Sequence, residues 1–165
     1  MSYHIYTTRG IVLSERPVRE ADRIYNILTR DFGLVRATAL GTRKGTSKLR
    51  GHIEPFSLSY ISLVRGKEHW RATSAEYIRN IPVLPSVARP LSLVEKLIQG
   101  EVSHPEMFDA IEMHISSPEN TEAFEIGFVS QILYHLGYLK EEDLNLGKKD
   151  LIQAINDGLQ QSHLT

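Results

Sequence analysis

The chain has 165 residues, 41% apolar and 24% charged, which suits one ordinary domain or two small ones and excludes a disordered polypeptide. It contains no cysteine, so disulfides, thiolate nucleophiles, cysteine-ligated zinc and iron–sulfur clusters are excluded. The formal net charge of -1 conceals a split at Asn80: residues 1–80 hold 14 of the 19 Lys and Arg and 7 of the 20 Asp and Glu, a balance of +7, and the remainder carries -8. Such asymmetry points to an anionic partner for the first half, nucleic acid being the obvious one.

Residues 5–14, IYTTRGIVLS, read as a strand that bends at Gly10, and residues 15–22, with Pro17, Arg16 and Arg19, read as a loop. The segment from Ala21 to Leu40 also fits a helical face through Ala21, Ile24, Tyr25 and Leu28. Asp31 and Gly33 favour a hairpin instead, after which Val35, Ala37 and Ala39 share an inner face and Arg36 and Thr38 an outer one. Residues 56–64, FSLSYISLV, form the cleanest strand, with Phe56, Leu58, Tyr60 and Val64 expected inside. A turn at Gly66 leads into a strand over 69–78. Five short strands fit a small closed antiparallel barrel, and the five-stranded version that grips nucleic acid is the OB-fold.

Residues 80–90, NIPVLPSVARP, place Pro82, Pro85 and Pro90 where neither a helix nor a central strand is expected to continue, so they mark a linker. Beyond it the apolar period becomes helical. Leu91, Val94, Leu97 and Ile98 make one stripe, and Ser103 with Glu106 has the spacing of a capping box for a second helix through Phe108, Ile111 and Ile115. Ser117 and Pro118 are expected to open the longest helix, carrying Phe124, Phe128, Val129, Ile132, Leu133 and Leu136, and a last helix spans about 148–161. The fold class is therefore α+β: a five-stranded antiparallel OB-fold barrel over 1–80, a proline-rich linker over 81–90 and a helical domain over 91–165.

The stretch with the clearest chemistry is GTRKGTSKLRG at 41–51. Arg43, Lys44, Lys48 and Arg50 lie among glycines and hydroxyls that suit a phosphate backbone, and a solvated hairpin loop is the plain alternative. Its glycine spacing is not that of a P-loop, and neither a G-x-S-x-G elbow nor an H-E-x-x-H pair occurs. The seven histidines are scattered, so no metal or other cofactor is expected, and nothing argues for catalysis. Eight of the thirteen aromatic residues accompany the cations of the first half, as in grooves that stack bases. Among them Trp70, flanked by Arg65, Lys67 and Arg71, is the candidate stacking residue, whereas Phe56 and Tyr60 are assigned to the interior. No run approaches the ~18 apolar residues of a spanning helix, and MSYHIYTTRG lacks the core of a signal peptide, so a cytoplasmic protein without membrane contact is expected.

The combination E-A-D-R, then L-T-R and G, then A-x-G-x-R-K, S-K-L-R-G and P-F within the first 80 residues resembles the N-terminal domain of the RecO family of recombination mediators. ILYHLGYL at 132–139 is similar to the leucine-glycine-tyrosine segment of its helical domain. The resemblance implies a non-enzymatic protein that binds single- and double-stranded DNA, anneals strands, works with RecR and helps load the RecA recombinase. It implies DNA contact at Arg43, Lys44, Lys48 and Arg50, with Arg36 and Arg23 as further positions, to which Trp70 and Arg71 are added from their setting. The family's four-cysteine zinc site has no counterpart here, and docking of the acidic tail of single-strand-binding protein is not expected of a half carrying -8. An adaptor that meets a protein such as RecR, with little DNA affinity of its own, is the alternative that the charge split equally permits.

Overall fold

The computed structural model describes residues 3–20, 22–40, 49 and 51–163. They form two compact units, one comprising residues 1–81 with 99–103 and the other 82–98 with 104–165.

The first unit contains β1 (Ile5–Pro17), β2 (Arg23–Thr29), β3 (Gly33–Ala39), β4 (Ser57–Val64) and β5 (Trp70–Asn80). Strand β1 serves two neighbours, β4 through residues 5–12 and β2 through 10–17, and Gly10 lies where both pairings overlap. A Cβ there would come within 2.8 Å of Ile27 Cγ2 and 2.9 Å of Ile61 Cδ1, so only a glycine lets the strand cross the core this closely. Residues 15–17, expected in a loop, continue the strand opposite Tyr25, Ile24 and Arg23; Pro17 is tolerated because it is the last residue of the ladder.

The strand order β1-β2-β3-β5-β4 returns to β1, but the uniformly antiparallel OB-fold barrel expected from the sequence is corrected. Four of the pairings are antiparallel and extended, whereas β3 and β5 meet in parallel through two residue pairs only, Ala37 with Trp70 and Thr38 with Arg71. The first unit is thus an antiparallel strip drawn together along one short parallel seam. Val35, Ala37 and Ala39 face inward as expected, joining Val12, Ile27, Ile61, Leu63 and Ala72 in one core.

Strand β4 departs from the expected burial at Tyr60, and the opposite parity is buried as well. Ser57, Ser59, Ile61 and Leu63 are all fully buried, whereas Tyr60 is 45% exposed and Phe56 sits half-buried before the strand at φ 58°. Two serines can lie inside because each hydroxyl has a backbone acceptor, Ser57 donating to Glu54 O at 2.5 Å and Ser59 to His52 O at 2.6 Å. Leu58 and Val64 are buried as expected, so both faces of the strand are largely covered and the exception is at Tyr60.

The second unit contains α1 (Pro85–Leu97), α2 (Pro105–Ser116), α3 (Glu122–His135), a 3-10 turn (Glu141–Asn145) and α4 (Lys148–Gln161). The linker expected over 81–90 is corrected in its second half, which is the start of α1. Pro85 occupies the first turn, where no N–H is needed, and Pro90 belongs to the buried stripe of Val87, Leu91 and Val94, so packing offsets the hydrogen bond it cannot donate. The expected capping box is absent: His104 precedes α2, and the Ser103 hydroxyl donates to Arg30 O at 3.2 Å. Helix α3 opens at Thr121, whose hydroxyl accepts from Phe124 N at 3.1 Å, rather than at Ser117, and at 14 residues it equals α4 in length.

Candidate nucleic-acid interface

Arg43, Lys44, Lys48 and Arg50 lie outside the described residues. The segment they occupy follows directly on β3, the strand that carries Arg36. Arg36 is exposed between buried Val35 and Ala37, and Arg71 is exposed between buried Trp70 and Ala72. Thr38 lies opposite Arg71 and two residues from Arg36, so alternation directs both arginines to the outer side of the parallel seam. Neither forms an ion pair among the described residues. Arg23 differs, because its guanidinium pairs with Glu15 on the neighbouring strand and is only partly exposed.

Trp70, expected to stack a base, is a core residue. It is 4% exposed, with its ring centroid 5.6 Å from Tyr6 and 5.4 Å from Phe32. Its indole N–H donates to Glu101 Oε1 at 2.8 Å, while the Arg65 guanidinium lies 4.6 Å from the ring centroid and pairs with the same carboxylate. Residues 99–103 thus form a strap on the first unit, fixed by Glu101 at one point and by Ser103 at another. Nothing in the local sequence around Trp70 announces a partner 31 residues away.

Sequence reasoning also missed Tyr60. Its ring stands on the outside of β4, with Arg9 of β1 directly opposite and the guanidinium 5.8 Å from the ring centroid. An alternation test that allowed buried serines would have exposed it.

The second unit holds a separate groove of about 540 Å³ whose walls include Leu93, Ile126, Val129 and Ile155, with Arg89 and Glu125 at its rim. Arg89 Nε and Nη2 each donate to the Glu125 carboxylate at 2.6 Å. These hydrogen bonds hold the Glu125 carboxyl below its ordinary range; burial opposes the shift and the positive charge adds to it. No group of three or more His, Asp or Glu side chains able to hold a metal occurs among the described residues. Nor is any described helix long and apolar enough to cross a membrane.

A family model described as "Recombination protein O N terminal" matches residues 1–81. A DNA repair protein RecO from Synechococcus sp. is 33% identical over 156 residues, covering 82% of this chain and 54% of the relative. RecO proteins from Dehalococcoides mccartyi and Desulforudis audaxviator are 42% and 41% identical over 77 and 88 residues, covering 47% and 53% of this chain and 30% and 35% of the relatives. The chain spans about half the length of the relatives that match most of it. It belongs to the RecO family of DNA repair proteins.

Proposed function

We propose that the chain acts as a non-catalytic mediator of recombinational DNA repair that binds single- and double-stranded DNA through its basic first half, to promote strand annealing or recombinase loading. The observation that carries this reading is the +7 balance of residues 1–80 combined with outward cations at the parallel seam, Arg36 and Arg71, the first of them on the strand that leads in the chain to the loop cations Arg43, Lys44, Lys48 and Arg50. Cations among hydroxyls and glycines suit phosphate oxygens and carry no base code, so the contact is to the backbone with little sequence preference.

Titration of a labelled single-stranded oligonucleotide at two salt concentrations tests the reading. Binding should weaken with salt, and replacing Arg43, Lys44, Lys48 and Arg50 together by Glu should abolish most of it. Equal affinity of that variant and the wild type removes the loop from the interface. The acidic balance of residues 81–165 supports a second reading, an adaptor for a partner protein such as RecR. In that case the wild-type chain itself shows no salt-dependent DNA binding while the partner still associates.

A further inference from the structure

Apart from Arg71, the outer side of β1, β4 and β5 is not used by the reading above, and its residues follow from the register. Arg9, Tyr60 and Glu76 stand in one row across the three strands, and Thr7, Ser62 and Ser74 in the next. Beyond them exposed Arg71 lies opposite buried Val64 of β4 and joins this face to the seam and Arg36. The surface therefore carries one large exposed aromatic ring, a row of hydroxyls and three arginines.

The ring has no role in folding that its environment reveals. A tyrosine that is 45% exposed at the middle of a strand contributes little core, yet the Arg9 guanidinium lies over it from the β1 side while part of the ring is left to solvent. The hydroxyl row is pre-ordered, with Thr7 Oγ1 and Ser62 Oγ 3.0 Å apart. From Tyr60 to Val64 the strand advances four residues, about 13 Å, close to two nucleotide steps of an extended single strand. Glu76 places negative charge on the β5 side of the ring, so a bound backbone is directed to the Arg9 side and onward to Arg71.

We infer that this face is a single-stranded DNA platform on which Tyr60 stacks one base while Arg9, the Thr7–Ser62–Ser74 hydroxyls and Arg71 follow the adjoining phosphates. The inference rests on the DNA-binding reading but uses different residues from the loop. Stacking on an exposed ring is available to unpaired bases and denied to those inside a duplex, which gives the face a strand preference that cations alone do not supply.

The test uses the full chain with a fluorescent oligo-dT and a duplex of equal length. Tyr60→Ala should weaken oligo-dT binding by about 5- to 100-fold, Tyr60→Phe should restore it to within about twofold of wild type, and duplex affinity should stay unchanged for both. Tyr60→Trp should show emission quenched by oligo-dT and not by duplex, measured against wild type to subtract Trp70. Unchanged oligo-dT affinity of Tyr60→Ala, or an equal loss for duplex, overturns the platform while leaving the loop contact standing. Wild-type protein that binds neither probe overturns both, and loss in the loop variant alone supports only the loop.

Discussion

Gly33 closes the β2–β3 hairpin at φ 70°, and the backbone of Val102 occupies the space where a side chain would project. Both facts require glycine, the first because L-residues avoid that region and the second because a backbone cannot yield as a rotamer can. Gly33→Ala should therefore cost about 1–3 kcal/mol in urea unfolding, and wild-type stability in this variant would show that the strap gives way freely. The hairpin itself was legible in Asp31 and Gly33. The second constraint was not, since Val102 is 69 positions away in the chain and no local pattern links them. Tyr60 illustrates the same limit at single-residue scale. In FSLSYISLV, Ser57 and Ser59 mask the inward parity that Ile61 and Leu63 share, because buried hydroxyls need acceptors, and those acceptors, Glu54 O and His52 O, come from the loop before the strand.

At the scale of elements, one carboxylate ties the strap 99–103 to Trp70 and another joins α1 to α3 through Arg89. Glu101 is the acceptor for the nearly buried indole of Trp70, and its removal leaves that N–H without its partner. Glu101→Ala should destabilise the chain by about 1–3 kcal/mol, nearly all from the indole, because the Arg65 pair is exposed and worth little. Trp70 is the only tryptophan, so a shift of its emission to longer wavelength reports the loosened strap directly; unchanged emission and stability would show that Glu101 does not hold it. In the second unit, Glu125 has its carboxyl held below the ordinary range by Arg89. A depressed folded value means that its stabilising effect is complete above the unfolded glutamate value near about 4.3 and is lost as pH falls through the lower folded value. Thermal midpoints of wild type and Glu125→Gln should differ at pH 7 and converge in acid below that value; a gap constant from pH 7 to pH 3 would contradict the pairing. Helix identity was readable from the 3.6 period, but helix starts were not. Pro90 reads as a breaker until its ring is seen to belong to the buried stripe, and Ser103 reads as a cap until its hydroxyl is found on Arg30 O.

At the scale of the whole molecule, the net charge of -1 would suggest indifference to a polyanion, and the split between halves shows why that total misleads. Phosphate binding answers to local cations within about 10 Å at ordinary salt, not to the sum over the chain. Replacing Arg36 and Arg71 by Gln should make the log–log salt dependence for single-stranded DNA shallower by about 1.4, since each phosphate contact contributes about 0.7. An unchanged slope would place those arginines off the DNA path.

The sequence by itself determined the five strands, the change to helical periodicity after residue 80, the inward set of β3, the charge split and the family. The family rests on the resemblance of its motifs, and the others rest on local periodicity or on composition, which survive without knowledge of the partner surfaces. Only the tertiary structure decided that β3 and β5 meet in parallel, that β4 turns Ser57 and Ser59 inward and Tyr60 outward, and that Trp70 is sealed by Arg65 and Glu101. Those outcomes depend on hydrogen-bond acceptors and ion partners supplied from elsewhere in the chain, and a buried polar group takes its place only where such partners wait for it.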